Sequence, residues 1–365
     1  MITKSLHFAR KQVTRRTFPP SRTDSPPSAR DTPVDTREIR RSYRVPIGNR
    51  HADMDVKERK SSAESATNGY KREDFKEVQI PMPWGHIRGK WWGPSELQPI
   101  LALHGRQDNA GSFDMLMPLL SDDVSVLCLD MPGHGLSSHY PQSQFYYVYW
   151  DGVIFLRRVI RHFKWNKVKL LGHSLGGAIS FLYAASYPDE VDAIISLDIA
   201  SPYVRDVKKM APLTGEYIDK FLKYELLTLD NMPCYEHDEM LDIVENAYNG
   251  SITKEGAEIL MKRGMQPYEK DKYYFSRDPR LKVSFLGILS LDLVLEYASQ
   301  IKCAYLNIRA VPGMKFEQPE NYMKVLDIIK LGARKFEYHE VKGTHHVHLN
   351  EPEKLAPIIK NFLQD

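Results

Sequence analysis

The chain has 365 residues, of which 42% are hydrophobic and 27% charged, which is enough apolar material for one large α/β domain or two smaller ones. A formal net charge of only +3 excludes the strong basic field typical of nucleic-acid-binding proteins, and no apolar stretch approaches the roughly 20 residues of a membrane-spanning helix. We therefore expect no nucleic-acid partner and no transmembrane segment. Three scattered cysteines suit a reducing compartment without disulfides.

Residues 1–72 differ in composition from the rest of the chain, being rich in Arg, Ser, Thr and Pro. Such a segment buries too little apolar surface to offset its ordering entropy, so we predict a disordered basic tail. Residues 1–50 carry twelve Lys/Arg and four Asp/Glu, a net charge of +8, and the first 23 residues contain no acid. The N-terminus resembles a mitochondrial presequence, and a solvated basic tail without an address fits equally well. The predicted location is intracellular, either cytoplasmic or mitochondrial.

From residue 73 the pattern changes to alternating strands and helices. Residues 75–92 alternate in polarity and break at Pro-Trp-Gly, which predicts a β-hairpin. Four short apolar runs follow, reading PILALHG, VSVLCLD, KVKLLGH and DAIISLD. Runs this continuous are typical of strands buried on both faces of a parallel sheet. Stretches of helical period lie between them, reading SFDMLMPLL, FYYVYWDGVIFLRRVIRHF and LGGAISFLYAASY. This order predicts an α/β fold with a mostly parallel, doubly wound sheet.

The alternation stops after residue 200. Residues 201–298 read as helices and loops, which we interpret as a helical cap inserted after the sixth strand. Strand and helix patterns then resume with CAYLNIR, NYMKVLDIIK, KFEYHEV and EPEKLAPIIKNFL. The predicted organisation is a tail over 1–72 and one domain over 73–365 that contains the cap.

Residues 172–176 read GHSLG and match the pattern G-x-S-x-G. A predicted strand precedes this pentapeptide and a predicted helix follows it, as a nucleophile elbow requires. A strained turn of this kind exposes the hydroxyl of Ser174 above the sheet, at a helix N-terminus that favours developing negative charge. The backbone N–H of Leu175, directly after the serine, is then one predicted oxyanion donor.

A serine hydroxyl is a weak nucleophile and needs a neighbouring base. After the last predicted strand the chain reads KGTHHVHLNEPE, which places His345, His346 and His348 close together. Three clustered histidines could bind a metal, but no group of acids or cysteines accompanies them in the sequence. We therefore expect no metal and no other cofactor.

These motifs together resemble the α/β-hydrolase superfamily. Many members end in a Gly-His-x-x-His-Leu…Pro-Glu pattern whose first histidine is the base, and this resemblance selects His345, with His346 as the fallback. The His-Gly turn after the strand PILALHG resembles the superfamily's oxyanion turn, which implies the backbone N–H of Arg106 as the second donor. The stretch DMPGHGLSS (130–138) resembles another turn of the superfamily and is interpreted as structural.

The third residue of the expected triad is a carboxylate that orients the histidine. Most relatives carry it in a Gly-x-x-Asp turn after the strand equivalent to CAYLNIR, but here the turn reads AVPG and ends in Gly313. Some members keep the acid at the end of the preceding strand, which selects Asp198 and preserves the chain order of nucleophile, acid and base. Glu317 is the alternative.

Several longer stretches, including LALHGRQDNAGSFDMLMPLL and KGTHHVHLNEPE, resemble the serine hydrolase-like branch, which includes insect kraken-type proteins. The resemblance covers residues 73–365 and implies hydrolysis of an ester or related acyl substrate through an acyl-enzyme. A serine nucleophile argues against epoxide and haloalkane hydrolases, which use aspartate. We expect a small, largely apolar acyl substrate, and the oligomeric state stays open. The alternative is a weakly active or non-catalytic hydrolase fold that binds a small apolar ligand or a partner.

Overall fold

The computed structural model describes residues 75–120, 124–142, 144, 149–247, 250–283, 287–313 and 318–364. The predicted tail over 1–72 and the alternative acid Glu317 lie outside the described residues. The disordered tail and its targeting role therefore stay predictions.

Eight strands of the described chain form one sheet in the order β1-β2-β4-β3-β5-β6-β9-β10. The first two are antiparallel to their neighbours, and the pairs from β4 to β10 are parallel. The strands are β1 (Phe75–Met82), β2 (Gly85–Trp92), β3 (Ile100–Leu103), β4 (Val126–Leu129), β5 (Val168–His173), β6 (Val191–Leu197), β9 (Ala304–Pro312) and β10 (Lys335–Gly343). The mostly parallel sheet is confirmed, as is the predicted hairpin over residues 75–92.

Helices lie on both faces of this sheet, because the central strands are apolar on both sides. The helices are α1 (Tyr149–Phe163), α2 (Leu175–Ser186), α3 (Val207–Met210), α4 (Thr214–Glu225), α5 (His237–Ala247), α6 (Lys254–Gly264), α7 (Leu291–Ser299), α8 (Pro319–Gly332), α9 (Val347–Asn350) and α10 (Ala356–Gln364). Helices α1, α2, α7 and α8 contribute to one core cluster, and α10 contributes to the cluster on the opposite face.

Two local predictions differ from the structure. The stretch SFDMLMPLL forms two short 3₁₀ turns, Ala110–Phe113 and Met117–Leu119, in place of a helix. Pro118 explains this difference, because proline lacks an N–H and its ring clashes with the carbonyl four residues earlier. The segment between β6 and β9, residues 198–303, also contains an antiparallel pair, β7 (Met265–Glu269) and β8 (Lys272–Phe275), where helices and loops were expected.

We call residues 199–303 the insertion. A buried ion pair anchors it to the sheet, because the Arg263 guanidinium of α6 contacts Asp130, which directly follows β4, with an Nη2–Oδ2 distance of 2.6 Å. Arg263 also contacts Glu77 on β1. Asp130 accepts further bonds from the backbone N–H groups of Ala110 at 2.7 Å and Leu136 at 3.0 Å. None of the helices in the described ranges is long and apolar enough to cross a bilayer.

Candidate active site

Ser174 lies at the bend between β5 and α2, with φ 50° and ψ −115°. A positive φ is costly for a residue with a side chain, and the surroundings enforce it. A Cβ on Gly172 would lie 2.4 Å from the backbone nitrogen of Gly177, and one on Gly176 would lie 2.0 Å from the carbonyl oxygen of Leu103. Both glycines are therefore required for the close approach of neighbouring backbone. Ser174 is partly exposed, and its hydroxyl makes no capping bond to α2.

The two predicted oxyanion donors lie on segments that are bonded to each other. The backbone N–H of Gly176 donates to the carbonyl of His104 at 3.1 Å, which holds the start of α2 against the turn that follows β3. Leu175 is the first residue of α2, so its N–H is among those without an intrahelical acceptor. Arg106 lies in the bonded turn, two residues after His104, and is also partly exposed.

His345 and Asp198 form a direct buried contact, with an Nδ1–Oδ2 distance of 2.6 Å. Asp198 follows β6, and its second carboxylate oxygen accepts from the backbone N–H of Ala310 at 2.9 Å. The carboxylate is thus held between β9 and the loop that follows β10. Because an ionised carboxylate only accepts hydrogen bonds, Nδ1 of the histidine carries the proton and Nε2 is left as the basic nitrogen.

Strand β5, which leads to Ser174, and the loop that carries His345 are joined by a further hydrogen bond. The Nε2 atom of His173, the residue before Ser174, lies 3.0 Å from the carbonyl oxygen of His345. The backbone N–H of Ser174 donates to the carbonyl of Leu197, directly before Asp198, at 3.2 Å. The three sequence-predicted residues thus lie on segments that bond to one another at the carboxyl ends of β5, β6 and β10. Ligand sites of open α/β sheets lie at this edge.

Burial lowers the pKa of His345 below its ordinary value of 6.5, although the hydrogen bond to Asp198 acts in the opposite direction. Removing the ring from water disfavours its charged form. The imidazole is therefore neutral near pH 7, as a general base requires.

Gly313, at the turn where the resemblance led us to expect an acid, lies against the Asp198 carboxylate. A Cβ at position 313 would lie 2.9 Å from each carboxylate oxygen of Asp198 and 2.6 Å from the carbonyl oxygen of Ala310. Gly313 has φ 52° and Asp198 has φ 50°. The two turns therefore meet at one place, and the glycine gives the carboxylate of Asp198 the room that a side chain would occupy.

Two neighbouring groups were not predicted from the sequence. Asp108 is buried beside His173 and His346, at 3.5 Å and 3.4 Å from one nitrogen of each ring. His346, the fallback base, therefore faces a different carboxylate from His345. The buried Asp130–Arg263 pair was also missed, because residues 133 positions apart leave no local pattern.

Comparison with known proteins places the chain in a family. A family model described as alpha/beta hydrolase fold matches residues 98–232. The chain is 51% identical to a probable serine hydrolase of Drosophila melanogaster over 80% of this chain and 89% of that protein. It is 33% identical to a serine hydrolase-like protein of Danio rerio over 79% of this chain and 88% of that protein. A solved structure of a hypothetical protein from Pseudomonas aeruginosa PAO1 matches with a TM-score of 0.70 and 28% identity, over 79% of this chain and 99% of that one.

The sheet topology and the serine at a strained strand-to-helix bend define an α/β-hydrolase fold. The chain belongs to the α/β-hydrolase fold family and, within it, to the serine hydrolase-like branch. The resemblance noted from the sequence is confirmed, and the protein is a hydrolase by class.

Proposed function

We propose that this hydrolase cleaves a carboxylic ester or related acyl substrate through an acyl-enzyme, with Ser174 as nucleophile, His345 as base and Asp198 as acid. The observation that carries the proposal is the 2.6 Å contact between His345 and Asp198 in the loop bonded to the nucleophile strand. An oriented base beside an activated serine is the arrangement of serine hydrolases on many folds.

In the first half-reaction Ser174 Oγ attacks the acyl carbon and its proton passes to His345 Nε2. The carbonyl electrons move to oxygen, and the backbone N–H groups of Leu175 and Arg106 stabilise the oxyanion. Each such donor contributes about 3 kcal/mol to the barrier reduction. The intermediate collapses, the bond to the leaving group breaks, and the leaving oxygen takes the proton from His345.

Water completes the reaction by the same route in reverse. It attacks the acyl carbon while His345 removes its proton, and the second tetrahedral intermediate expels Ser174 Oγ, which recovers the proton. The Asp198 carboxylate orients the ring and stabilises the imidazolium that forms in each step.

The part of the insertion before α7 is proposed as a cap over this edge of the sheet, whereas α7 itself packs in the core cluster on one sheet face. Two contacts support this role. Ser251 Oγ lies 2.8 Å from Nδ1 of His346, and Leu349 shares an apolar cluster with residues of α5 and α6. An apolar roof above a few polar groups is typical of small-molecule sites. We therefore propose a small, largely apolar acyl substrate.

A fluorophosphonate probe, which modifies activated serines, tests this function. We expect one adduct on Ser174 in the native protein and none in Ser174→Ala. The matched control is Ser180→Ala, because Ser180 lies on the same helix and its hydroxyl is bonded to the Gly176 carbonyl at 2.8 Å. This variant should label like the wild type. Absence of any adduct on native, folded protein would favour the binding-only alternative. Nitrophenyl esters of graded chain length would then define the acyl preference.

A further inference from the structure

Three buried polar residues form a group behind the candidate triad, here called the Asp108 cluster and consisting of Asp108, His173 and His346. Their exposed fractions are 2%, 0% and 1%. They come from three separate segments, the turn after β3, the end of β5 and the loop after β10. One oxygen of Asp108 lies 3.5 Å from Nδ1 of His173 and 3.4 Å from Nε2 of His346. The three donor atoms all lie within 4.8 Å of one another.

These separations are long for hydrogen bonds, whose N–H···O distances run from about 2.7 to 3.2 Å. Within the described part of the chain, Oδ1 of Asp108 and Nδ1 of His173 have no hydrogen-bond partner, although both are buried. A buried polar atom without a partner carries a desolvation cost. These two atoms therefore lack a partner among the described residues, while Oδ2 of Asp108 has one long contact from Ser112 Oγ at 3.5 Å.

The protonation of the His173 ring follows from its other nitrogen. Nε2 lies 3.0 Å from the carbonyl oxygen of His345, and a carbonyl only accepts, so Nε2 carries the proton. Burial disfavours a second proton on the ring, so Nδ1 presents a lone pair to the carboxylate of Asp108. A lone pair facing a carboxylate at 3.5 Å is repulsive unless a cation lies between them.

His346 has the same arrangement with the opposite nitrogen. Its Nδ1 lies 2.8 Å from Ser251 Oγ, which also accepts from the His346 backbone N–H at 3.2 Å. A hydroxyl oxygen has two lone pairs and can accept both bonds. Metal binding requires this tautomer, in which Nε2 points an unprotonated nitrogen at Asp108; in the other tautomer Ser251 donates to Nδ1 and Nε2 carries the proton. A partner that orients the second ring nitrogen is the usual companion of a metal-bound histidine.

We propose that Asp108, His173 and His346 bind a divalent transition metal ion of the zinc class. Bond lengths of about 2.0–2.2 Å to nitrogen and oxygen place the ligands of a tetrahedral ion about 3.3–3.6 Å apart. The distances from Asp108 to the two rings, 3.4 and 3.5 Å, fall in this interval. Three protein ligands leave one position for water or another ligand. The sequence did not predict this site because only one of its ligands belongs to the histidine group after β10.

Binding would affect the triad, a consequence that rests on the proposed function. His173 and His346 are the chain neighbours of Ser174 and His345, and the ring centroids of His173 and His345 lie 4.5 Å apart. A divalent ion would change the charge of the cluster from −1 to +1. That charge opposes the imidazolium formed in the transition state, so we expect the metal-loaded protein to hydrolyse esters more slowly than the metal-free protein.

The test uses the full chain after treatment with a chelator. We expect one equivalent of Co²⁺ per chain, with the intense visible absorption of tetrahedral cobalt, and displacement of that signal by Zn²⁺. Because all three donors are buried, uptake should be slow, so titrations need long incubation. Asp108→Asn should weaken binding by more than about 100-fold, and Ser251→Ala, which removes only the orienting partner of His346, by roughly 10- to 100-fold.

The matched control is His139→Gln, which removes an exposed histidine that does not belong to the Asp108 cluster and whose Nδ1 lies 3.7 Å from Asp278. It should bind cobalt like the wild type. Loss of binding in this control, absence of the tetrahedral signal, or wild-type affinity in Asp108→Asn would each overturn the proposal. If Asp108→Asn does not fold, unchanged affinity in Ser251→Ala would overturn it instead.

The binding measurement needs no substrate, so it separates the two proposals. Cobalt uptake without fluorophosphonate labelling of the metal-free protein would leave the metal site standing and contradict the serine hydrolase proposal. Labelling without cobalt uptake would do the reverse.

Discussion

Replacing Asp198 with asparagine tests the central contact of the proposed mechanism with minimal change of shape. The amide oxygen of asparagine can keep the bond from the backbone N–H of Ala310, now 2.9 Å from Oδ1. The amide nitrogen then faces Nδ1 of His345, where the carboxylate oxygen now lies at 2.6 Å. Because that nitrogen only donates, the ring must place its proton on Nε2, which can no longer accept the proton of Ser174.

The expected loss in kcat is about 10⁴-fold, as in other triads whose acid becomes an amide, which corresponds to about 5.4 kcal/mol in the barrier. Folding should be preserved, since asparagine tolerates the φ of 50° at this position. The assay is nitrophenyl ester hydrolysis, together with the rate of fluorophosphonate labelling and a melting temperature. Glu317→Gln is the matched control and should hydrolyse the ester like the wild type.

A swap of Asp198 with Gly313 sharpens the result. Both positions have positive φ, and the 313 Cβ direction points at the present carboxylate. Asp198→Gly should be nearly inactive, and the double variant Asp198→Gly with Gly313→Asp should recover only a small part of the activity, because the new Cβ would also lie 2.6 Å from the Ala310 carbonyl oxygen and the turn must shift to accept it. Hydrolysis by a folded Asp198→Asn protein within tenfold of the wild type would refute the assignment, as would a large loss in Glu317→Gln.

Three further predictions follow from the same structure. Because burial lowers the pKa of His345 below 6.5 and the base must be neutral, kcat/KM for a nitrophenyl ester should fall only as pH drops through a midpoint below 6.5, and a midpoint above it would contradict the assignment. Arg263→Met should lower the free energy of unfolding in urea by about 3–5 kcal/mol, since it leaves Asp130 buried and unpaired; an unchanged midpoint would argue against the pair. Gly176→Ala places a Cβ 2.0 Å from the Leu103 carbonyl, so it should cost about 1–3 kcal/mol in thermal unfolding and slow labelling of the serine.

The sheet and the elbow could be predicted because their causes are local. Apolar runs such as VSVLCLD require burial on both faces, and the strand β4 forms within that run. The bend at Ser174 was predictable because the two glycines that permit it lie within two residues. A helix was predicted where the structure has 3₁₀ turns over residues 110–119. The prediction followed the helical spacing of the apolar residues and gave too little weight to Pro118. The pair β7–β8 was missed because its residues are half-buried or exposed, so neither strand carries the continuous apolar run of a buried strand.

The order of residues along the chain could not identify the carboxylate that contacts His345. The sequence offered Asp198 and Glu317 as alternative candidates for the acid. The turn that ends at Gly313 has no carboxylate, which weakened the expectation of a triad. The structure describes only one of the two candidates, and its carboxylate contacts His345 across 147 residues. Only the tertiary structure explains why position 313 is a glycine. A Cβ there would lie 2.9 Å from each carboxylate oxygen of Asp198.

By itself, the sequence determined the fold class, the position of the strand-to-helix bend at Ser174 and the family, because periodicity, backbone strain and short motifs act over a few residues. Tertiary structure alone decided which carboxylate meets which histidine. His345 contacts Asp198 while its neighbour His346 faces Asp108, and no local pattern distinguishes the two. The physical reason is that charge pairing depends on distances between strand ends, and those distances are set by the order of strands in the sheet.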